Sequence, residues 1–353
     1  MITAATDHVA NAALNTASIH FLWSSAAVLT LAMLAFGIDL AGFPARDARA
    51  KEREAERAKA LENSAVAQKV ATGAGGGTAV LDSAPRPANP AEGGDAEEKR
   101  KWAGIGMSLS WLGGLLLVAN VVFRAWSVDR PPLANMYEFA AVGTMFVMVA
   151  FLGWSLRKDV RWLGLFVVAP VVLVEMLCAV VFYTAASSVL PSLKSPWLMI
   201  HVTVATLSIA LFTIAFSLTI LYFIQLWREE KDEEWQAEGG ARFRFMDSMP
   251  KSDVLDRTSY GVIILAFPLW TFTLIAGSIW AQKAWGSYWT WDPKEVWTLV
   301  IWVVYAAYLH ARLTAGWTGK KAAYIALAGF ACILVNYMIV NVFFVGMHSY
   351  SGM

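Results

Sequence analysis

Cysteine is scarce in this chain, and its scarcity removes a block of chemistry. The two cysteines among 353 residues, Cys178 and Cys332, each lie inside an apolar run and far from any Cys-x-x-Cys spacing. They read as small core residues, so the chain offers no dithiol redox centre and no thiolate metal site of its own. Excess charge is missing too: charged residues make up 16% and the formal net charge is +1. A nucleic-acid partner calls for a basic surplus to neutralise phosphates, so none is expected. Histidine occurs only five times, which makes the place of each one informative.

What is abundant is apolar. Hydrophobic residues reach 58%, tryptophan occurs 17 times and the mean hydropathy is +0.51, too greasy for a water-soluble domain. Eight apolar runs, about 18–40, 102–123, 133–156, 162–183, 197–226, 260–280, 296–313 and 322–346, are each long enough to cross a bilayer core at about 1.5 Å per residue. The expectation is an all-α polytopic membrane protein of about eight transmembrane helices. Residues 1–17 carry no Lys or Arg, whereas a secretory signal wants a positive start, so the first run reads as a retained helix. Three segments follow: a first helix over 1–44, a charged helix and flexible Gly/Pro-rich linker over 45–101, and a seven-helix domain over 102–353.

Basic residues orient the bundle. Arg157, Lys158 and Arg161, then Arg228 to Arg257, then Arg312, Lys320 and Lys321 alternate in step with the basic 45–101 segment. By the positive-inside rule these loops are cytoplasmic, which puts both termini and the loops near 184–196 and 281–297 on the extracytoplasmic side.

The 281–297 connection is unlike the rest. From Trp280 to Trp297 it carries five tryptophans, Tyr288 and four charged residues. Asp292, Pro293 and Glu295 read as a helix start, with Asp292 as N-cap, Pro293 at the first helical position and Glu295 bonding back. Trp285, Tyr288, Trp289 and Trp291 form an aromatic shelf too dense for an ordinary interfacial belt.

His201 lies about one turn into its helix and His348 just past the last one, both on the side of the shelf. Aromatic rings with a neutral imidazole approaching from each side suit a flat, apolar, iron-bearing macrocycle, and the chemistry suggested is haem binding. His310 falls within the membrane's inner half, where an ionisable side chain is a functional candidate. His20 and His8 read as ordinary interfacial or tail residues.

From Pro131 onward the chain resembles the CcsA (ResC) proteins of system II cytochrome c biogenesis, haem-handling membrane proteins with a WWD domain. The similar pieces are Pro131-Pro-Leu-Ala-Asn-Met-Tyr-Glu138, Trp197-Leu-Met-Ile-His201, Leu255-Asp-Arg-Thr-Ser-Tyr260, Trp285-Gly-Ser-Tyr-Trp-Thr-Trp-Asp-Pro-Lys-Glu295, Tyr308-Leu-His-Ala-Arg312 and His348-Ser-Tyr350. The resemblance implies that His201 and His348 ligate haem b at the WWD loop, with Trp285, Tyr288, Trp289, Trp291 and Asp292 around it, and that His310 ligates an intramembrane haem. It also implies a CcsB/ResB partner, an apocytochrome c substrate and thioether attachment of haem at Cys-x-x-Cys-His motifs, in the plasma (inner) membrane. The alternative is a haem transporter or binding module with no catalytic role in attachment. The first helix and the 45–101 segment have no counterpart in that pattern, and no second transmembrane histidine stands opposite His310.

The topology is directly testable. A cysteine introduced at Ser287 is expected to react with a membrane-impermeant thiol reagent applied from outside; labelling only from the cytoplasmic face would overturn the orientation.

Overall fold

The structure is a computed structural model that describes residues 2–73, 100–185, 195–237 and 243–348. The expected flexible linker beyond Gly73, Lys194 in the 184–196 loop and the motif residues after His348 lie outside the described residues. Helices account for nearly all that is described: α1 Ile2–Gly73, α2 Lys101–Val128, α3 Met136–Ser155, α4 Gly164–Val180, α5 Pro196–Ala237, α6 Ser252–Trp285, α7 Pro293–Leu313 and α8 Lys320–Leu334. A π-helix, Val335–Val340, and a short turn, Asn341–Phe343, prolong α8. Among the described residues eight helices are long and apolar enough to cross a membrane, as the apolar runs predicted. The all-α polytopic fold follows from the solvent: a backbone in hydrocarbon must satisfy its own polar groups, and a helix does so within one segment.

The bundle has two halves. α1 to α4 and the adjoining face of α5 enclose one apolar core, with Leu29, Phe36, Leu117, Met148 and Phe151 at its centre; α5 to α8 enclose the other, around Phe212, Trp270, Ile301, Tyr305 and Phe330. α1 lies along α2, and α5 along α6, as the most extensive pairings. Small residues permit the first: a Cβ on Gly113 would sit 2.5 Å from Leu29 Cδ2, and one on Gly106 2.9 Å from the Phe36 ring. Where lipid offers no hydrophobic drive, such close backbone approach is a main source of helix association.

Polar rungs fix the register of these pairs. Asn120 Nδ2 donates to Ser18 O at 2.8 Å, and the Ser25 hydroxyl lies 2.8 Å from Glu175 Oε1 and 3.0 Å from Gly113 O. Between α5 and α6, Ser208 Oγ donates to Ala266 O at 2.8 Å and Ser259 Oγ to Ala215 O at 3.1 Å. α1 is thereby an integral wall of the first half.

The charged segment after residue 45 is a continuation of α1 rather than a separate helix. The chain runs helical through Pro44, because the Lys, Arg, Glu and Ala residues beyond it are good helix formers and Asp47 pairs with Lys51 one turn on at 3.0 Å. Arg46 and Arg100 both hold Asp39, with Nη2 at 3.1 Å and 2.5 Å from its carboxylate, so the extension stays in line with α2.

The Pro131–Glu138 motif has a structural purpose. Asn135 caps α3 by accepting from Glu138 N at 2.9 Å, while the buried Glu138 carboxylate accepts from Ala134 N, Arg124 and Arg130. Arg124, only 2% exposed, also donates to Asn15 Oδ1 and Thr184 O. One guanidinium thus joins α1, α2, α3 and the chain beyond α4 at the end of the bundle that carries the Trp-rich loop.

Removing one partner of a buried ion pair leaves the other charge stranded, which costs about 3–5 kcal/mol. Glu138→Ala is therefore expected to lower the unfolding temperature in detergent sharply. Asp159→Ala, which breaks an exposed pair with Arg161, should cost no more than about 1 kcal/mol. Equal effects of the two replacements would contradict the assignment.

Candidate functional site

A cleft opens at the loop-bearing end between the start of α3, α5, α6, the start of α7 and the π-helix. Its empty space is about 1230 Å³, open space at its mouth included. Most of the wall is apolar or aromatic, with a few polar side chains at defined points.

His201 and His348 both line this one cleft, although they are 147 positions apart in sequence. His201 Nδ1 lies 2.9 Å from the carbonyl oxygen of Thr273 on α6. A carbonyl can only accept, so Nδ1 carries the proton and the lone pair of the neutral ring sits on Nε2. His348 Nδ1 lies 2.9 Å from Asp292 Oδ1, and a carboxylate imposes the same tautomer more strongly. An imidazole whose Nδ1–H is held by an acceptor is oriented and made more basic at Nε2, the usual preparation of a metal-ligating histidine.

Trp280 links the two. It is 1% exposed, its ring nearly parallel to that of His201 (centroids 6.1 Å apart, 14°) and edge-on to that of His348 at 5.6 Å. Trp285 meets the His348 ring at 5.3 Å and Trp280 at 4.9 Å, both edge-on.

Asp292 does more than cap a helix. The full capping box is present: its side chain accepts from Lys294 N at 2.9 Å, and Glu295 reaches back to Asp292 N at 3.2 Å. The expected role is real, and three further groups depend on the same residue: Oδ1 takes His348 Nδ1, Oδ2 takes Met347 N at 2.5 Å, and Gly346 packs directly against the carboxylate. Burial opposes ionisation, but the hydrogen bond from His348 and the two backbone N–H donors outweigh it, so the carboxyl lies below its ordinary value.

In the aromatic shelf, residues 286–292 are irregular, and Trp289 and Trp291 stand perpendicular, 5.8 Å apart. Tyr288 and Trp289 border the cleft; Trp291, at φ 60° and 74% exposed, does not. The left-handed backbone at Trp291 turns the chain so that Asp292 can enter the cap.

His310 lies apart from this cleft, in the last turn of α7 and about 25 Å from its start at 1.5 Å per residue. It is exposed, and none of the described residues hydrogen-bonds its imidazole. His20 is also exposed, on α1. Arg312 near His310 is fully engaged, bidentate to Asp256 at 2.8 and 3.0 Å with the Tyr260 ring 4.4 Å from its Cζ. This accounts for the Leu255–Tyr260 and Tyr308–Arg312 motifs as one lock at the opposite end of the bundle.

Three site contacts were not assigned from the sequence. The Thr273 contact is a main-chain carbonyl, invisible to residue type. Lys294 turns into the cleft wall and donates to Asn336 O at 2.7 Å, inside the π-helix. Trp280 was legible only as part of the tryptophan-dense stretch.

Comparison with known proteins is consistent throughout. The family model described as Cytochrome C assembly protein matches residues 133–348. "Cytochrome c biogenesis protein CcsA" of Guillardia theta is 38% identical over 240 residues, 62% of this chain and 76% of the relative. The protein of that name from Picosynechococcus sp. is 34% identical over 290 residues, 67% of this chain and 84% of the relative. The solved structure titled "Cytochrome c Heme Lyase CcmF" superposes with a TM-score of 0.55 at 14% identity, over 93% of this chain and 46% of that one. At that identity the likeness is one of fold.

A depressed carboxyl stabilises the fold above its unfolded pKa of about 3.9 and loses that contribution as pH falls through the folded value. Asp292→Asn, which can still cap, should fold at neutral pH and lack this acid-sensitive component. Asp292→Ala should cost about 1 kcal/mol more through the cap. Melting curves against pH decide it; a wild-type acid profile in the Asn variant would contradict the His348 and backbone contacts.

Proposed function

Because this chain belongs to the CcsA family of cytochrome c biogenesis proteins, we propose that it carries haem b across the plasma membrane and holds it for attachment to apocytochrome c. The cleft is then the outer haem site and the Trp-rich loop is extracytoplasmic. The observation that carries this reading is the convergence of two imidazoles, each with Nδ1 held and Nε2 prepared, on one aromatic-walled cleft.

In this reading His201 and His348 supply the axial nitrogens, and Tyr288, Trp289 and Trp280 pack against the macrocycle; Trp285 and Asp292 keep His348 in place. Trp291, exposed and outside the cleft lining, is left free of the macrocycle to meet the incoming polypeptide. Attachment is the addition of each thiol of a Cys-x-x-Cys-His motif across a haem vinyl group. One C–S and one C–H bond form for each S–H and C=C π bond lost, with no net change in electrons. No protein nucleophile is required, and what the chain contributes is position. The histidine of the motif takes the place of one of the two cleft imidazoles as the product forms.

His310 belongs to an earlier step. Its exposure on α7 fits an intramembrane haem ligand whose opposite ligand comes from a CcsB/ResB partner, with surrounding lipid covering the rest of that face. The 45–101 segment is cytoplasmic in the same topology, with the membrane-spanning part of α1 within 1–44 and the seven-helix haem-handling unit at 102–353.

The test compares covalent cytochrome c yield and haem spectra for Gly replacements of each histidine, with and without imidazole. His201→Gly and His348→Gly should lose outer haem and recover partly with imidazole. His310→Gly should deplete haem before it reaches the cleft and respond less, because a polar ligand must enter the apolar interior. Normal yield from the His201/His348 double replacement would end the ligand assignment.

A further inference from the structure

Two glycines stand where a single added carbon would strike the groups that hold the cleft histidines. A Cβ built on Gly277 of α6 would lie 2.6 Å from His201 Cε1 and 2.8 Å from its Nδ1. One built on Gly346 would collide with Asp292 Oδ2 and lie 3.1 Å from its Cγ and 3.2 Å from Pro293 Cδ. The other described glycines with such tight surroundings meet packing side chains or neighbours away from the cleft; Gly106 and Gly164 face Phe36, Gly113 faces Leu29 and Gly329 faces Tyr305. Neither Gly277 nor Gly346 has a left-handed φ, so the backbone at both positions accepts alanine and only the space requires glycine.

Building on the haem-holding reading above, we propose that Gly277 and Gly346 are positioning residues for the reaction, one for each cleft histidine. Gly277 lies one turn beyond Thr273 and leaves open the approach by which the His201 ring reaches the Thr273 carbonyl. α5 and α6 are tied by the Ser208 and Ser259 hydroxyls, so the helices resist separating and the imidazole must yield instead. Gly346 acts one step further away. It lets the chain before His348 close on Asp292, so that Met347 N and His348 Nδ1 reach the two carboxylate oxygens together.

The two differ in kind: Gly277 sets the place of a ring, Gly346 the place of the carboxylate that orients a ring. Loss of such outer partners ordinarily weakens metal binding by about 10–100-fold. Both replacements should therefore loosen haem without removing either histidine.

The experiment uses the full chain, purified with its membrane partner, carrying Gly277→Ala, Gly346→Ala or Gly261→Ala. Gly261 lies on the same helix as Gly277 and would meet nothing within 4 Å. Haem content and the absorption spectrum are read with and without added imidazole. The expected result is at least about a tenfold weakening of haem retention in the first two variants, partly restored by imidazole, and no change in Gly261→Ala. Two double variants guard against a folding defect: Gly277→Ala placed in His201→Gly, and Gly346→Ala placed in Asp292→Gly. If each glycine acts only through its partner, the second change adds nothing once the partner is gone. Wild-type haem retention in both alanine variants would overturn the proposal, and so would a further loss in both double variants. Undiminished haem retention in the His201→Gly/His348→Gly double variant would instead overturn the ligand assignment on which the proposal rests.

Discussion

The carboxylate of Asp292 is the joint on which the cleft depends. It accepts the first backbone donor of α7, the Met347 N–H and the His348 Nδ1–H, and it is 5% exposed. A buried carboxylate is costly unless it is fully hydrogen-bonded, and these three donors make it stable where it stands. In return, one side chain ties the start of α7, the end of the chain's last helical segment and a cleft imidazole into one unit. Met347 and His348, 55 and 56 positions from Asp292 in sequence, are thereby held within hydrogen-bond distance of a single group.

The bilayer explains the rest of the architecture. Many polar contacts inside the bundle are hydroxyl and amide rungs between helices, and several ion pairs are collected at the two ends. Arg124 with Glu138 lies at the cleft end, and Asp39 with Arg46 and Arg100, and Asp256 with Arg312, lie at the other. The site sits where the helix ends meet, which is where loops and unsatisfied backbone groups are tolerated. A π-helix occupies the wall at Val335–Val340, and Lys294 meets the Asn336 carbonyl there. Such segments are uncommon and recur near functional sites.

Much of this was legible in the sequence because lipid simplifies the code. Each crossing helix is an unbroken apolar run, and Asp292-Pro293-Lys294-Glu295 spells a helix start from side-chain chemistry alone. His201 and His348 could be assigned to the same end by counting helices. The rest was hidden for identifiable reasons. The Thr273 contact uses a main-chain atom, and Gly277 and Gly346 matter through the side chains they lack. The second duty of Asp292 could not be read, because its cap role already accounts for the residue type. The change of composition after residue 44 suggested a break that the helix-forming residues beyond it override. The perpendicular Trp289 and Trp291 rings and the positive φ at Trp291 are likewise not signalled by residue type.

The most direct test of the account is an electron-density or cryo-electron microscopy map of the haem-loaded, unmodified chain. The account predicts macrocycle density in the cleft beside Tyr288 and Trp289, with the iron between Nε2 of His201 and Nε2 of His348. It also predicts that Nδ1 of each ring still faces Thr273 O or Asp292. Macrocycle density elsewhere with this cleft unfilled, or either imidazole turned away from the iron with its Nδ1 contact intact, would contradict it.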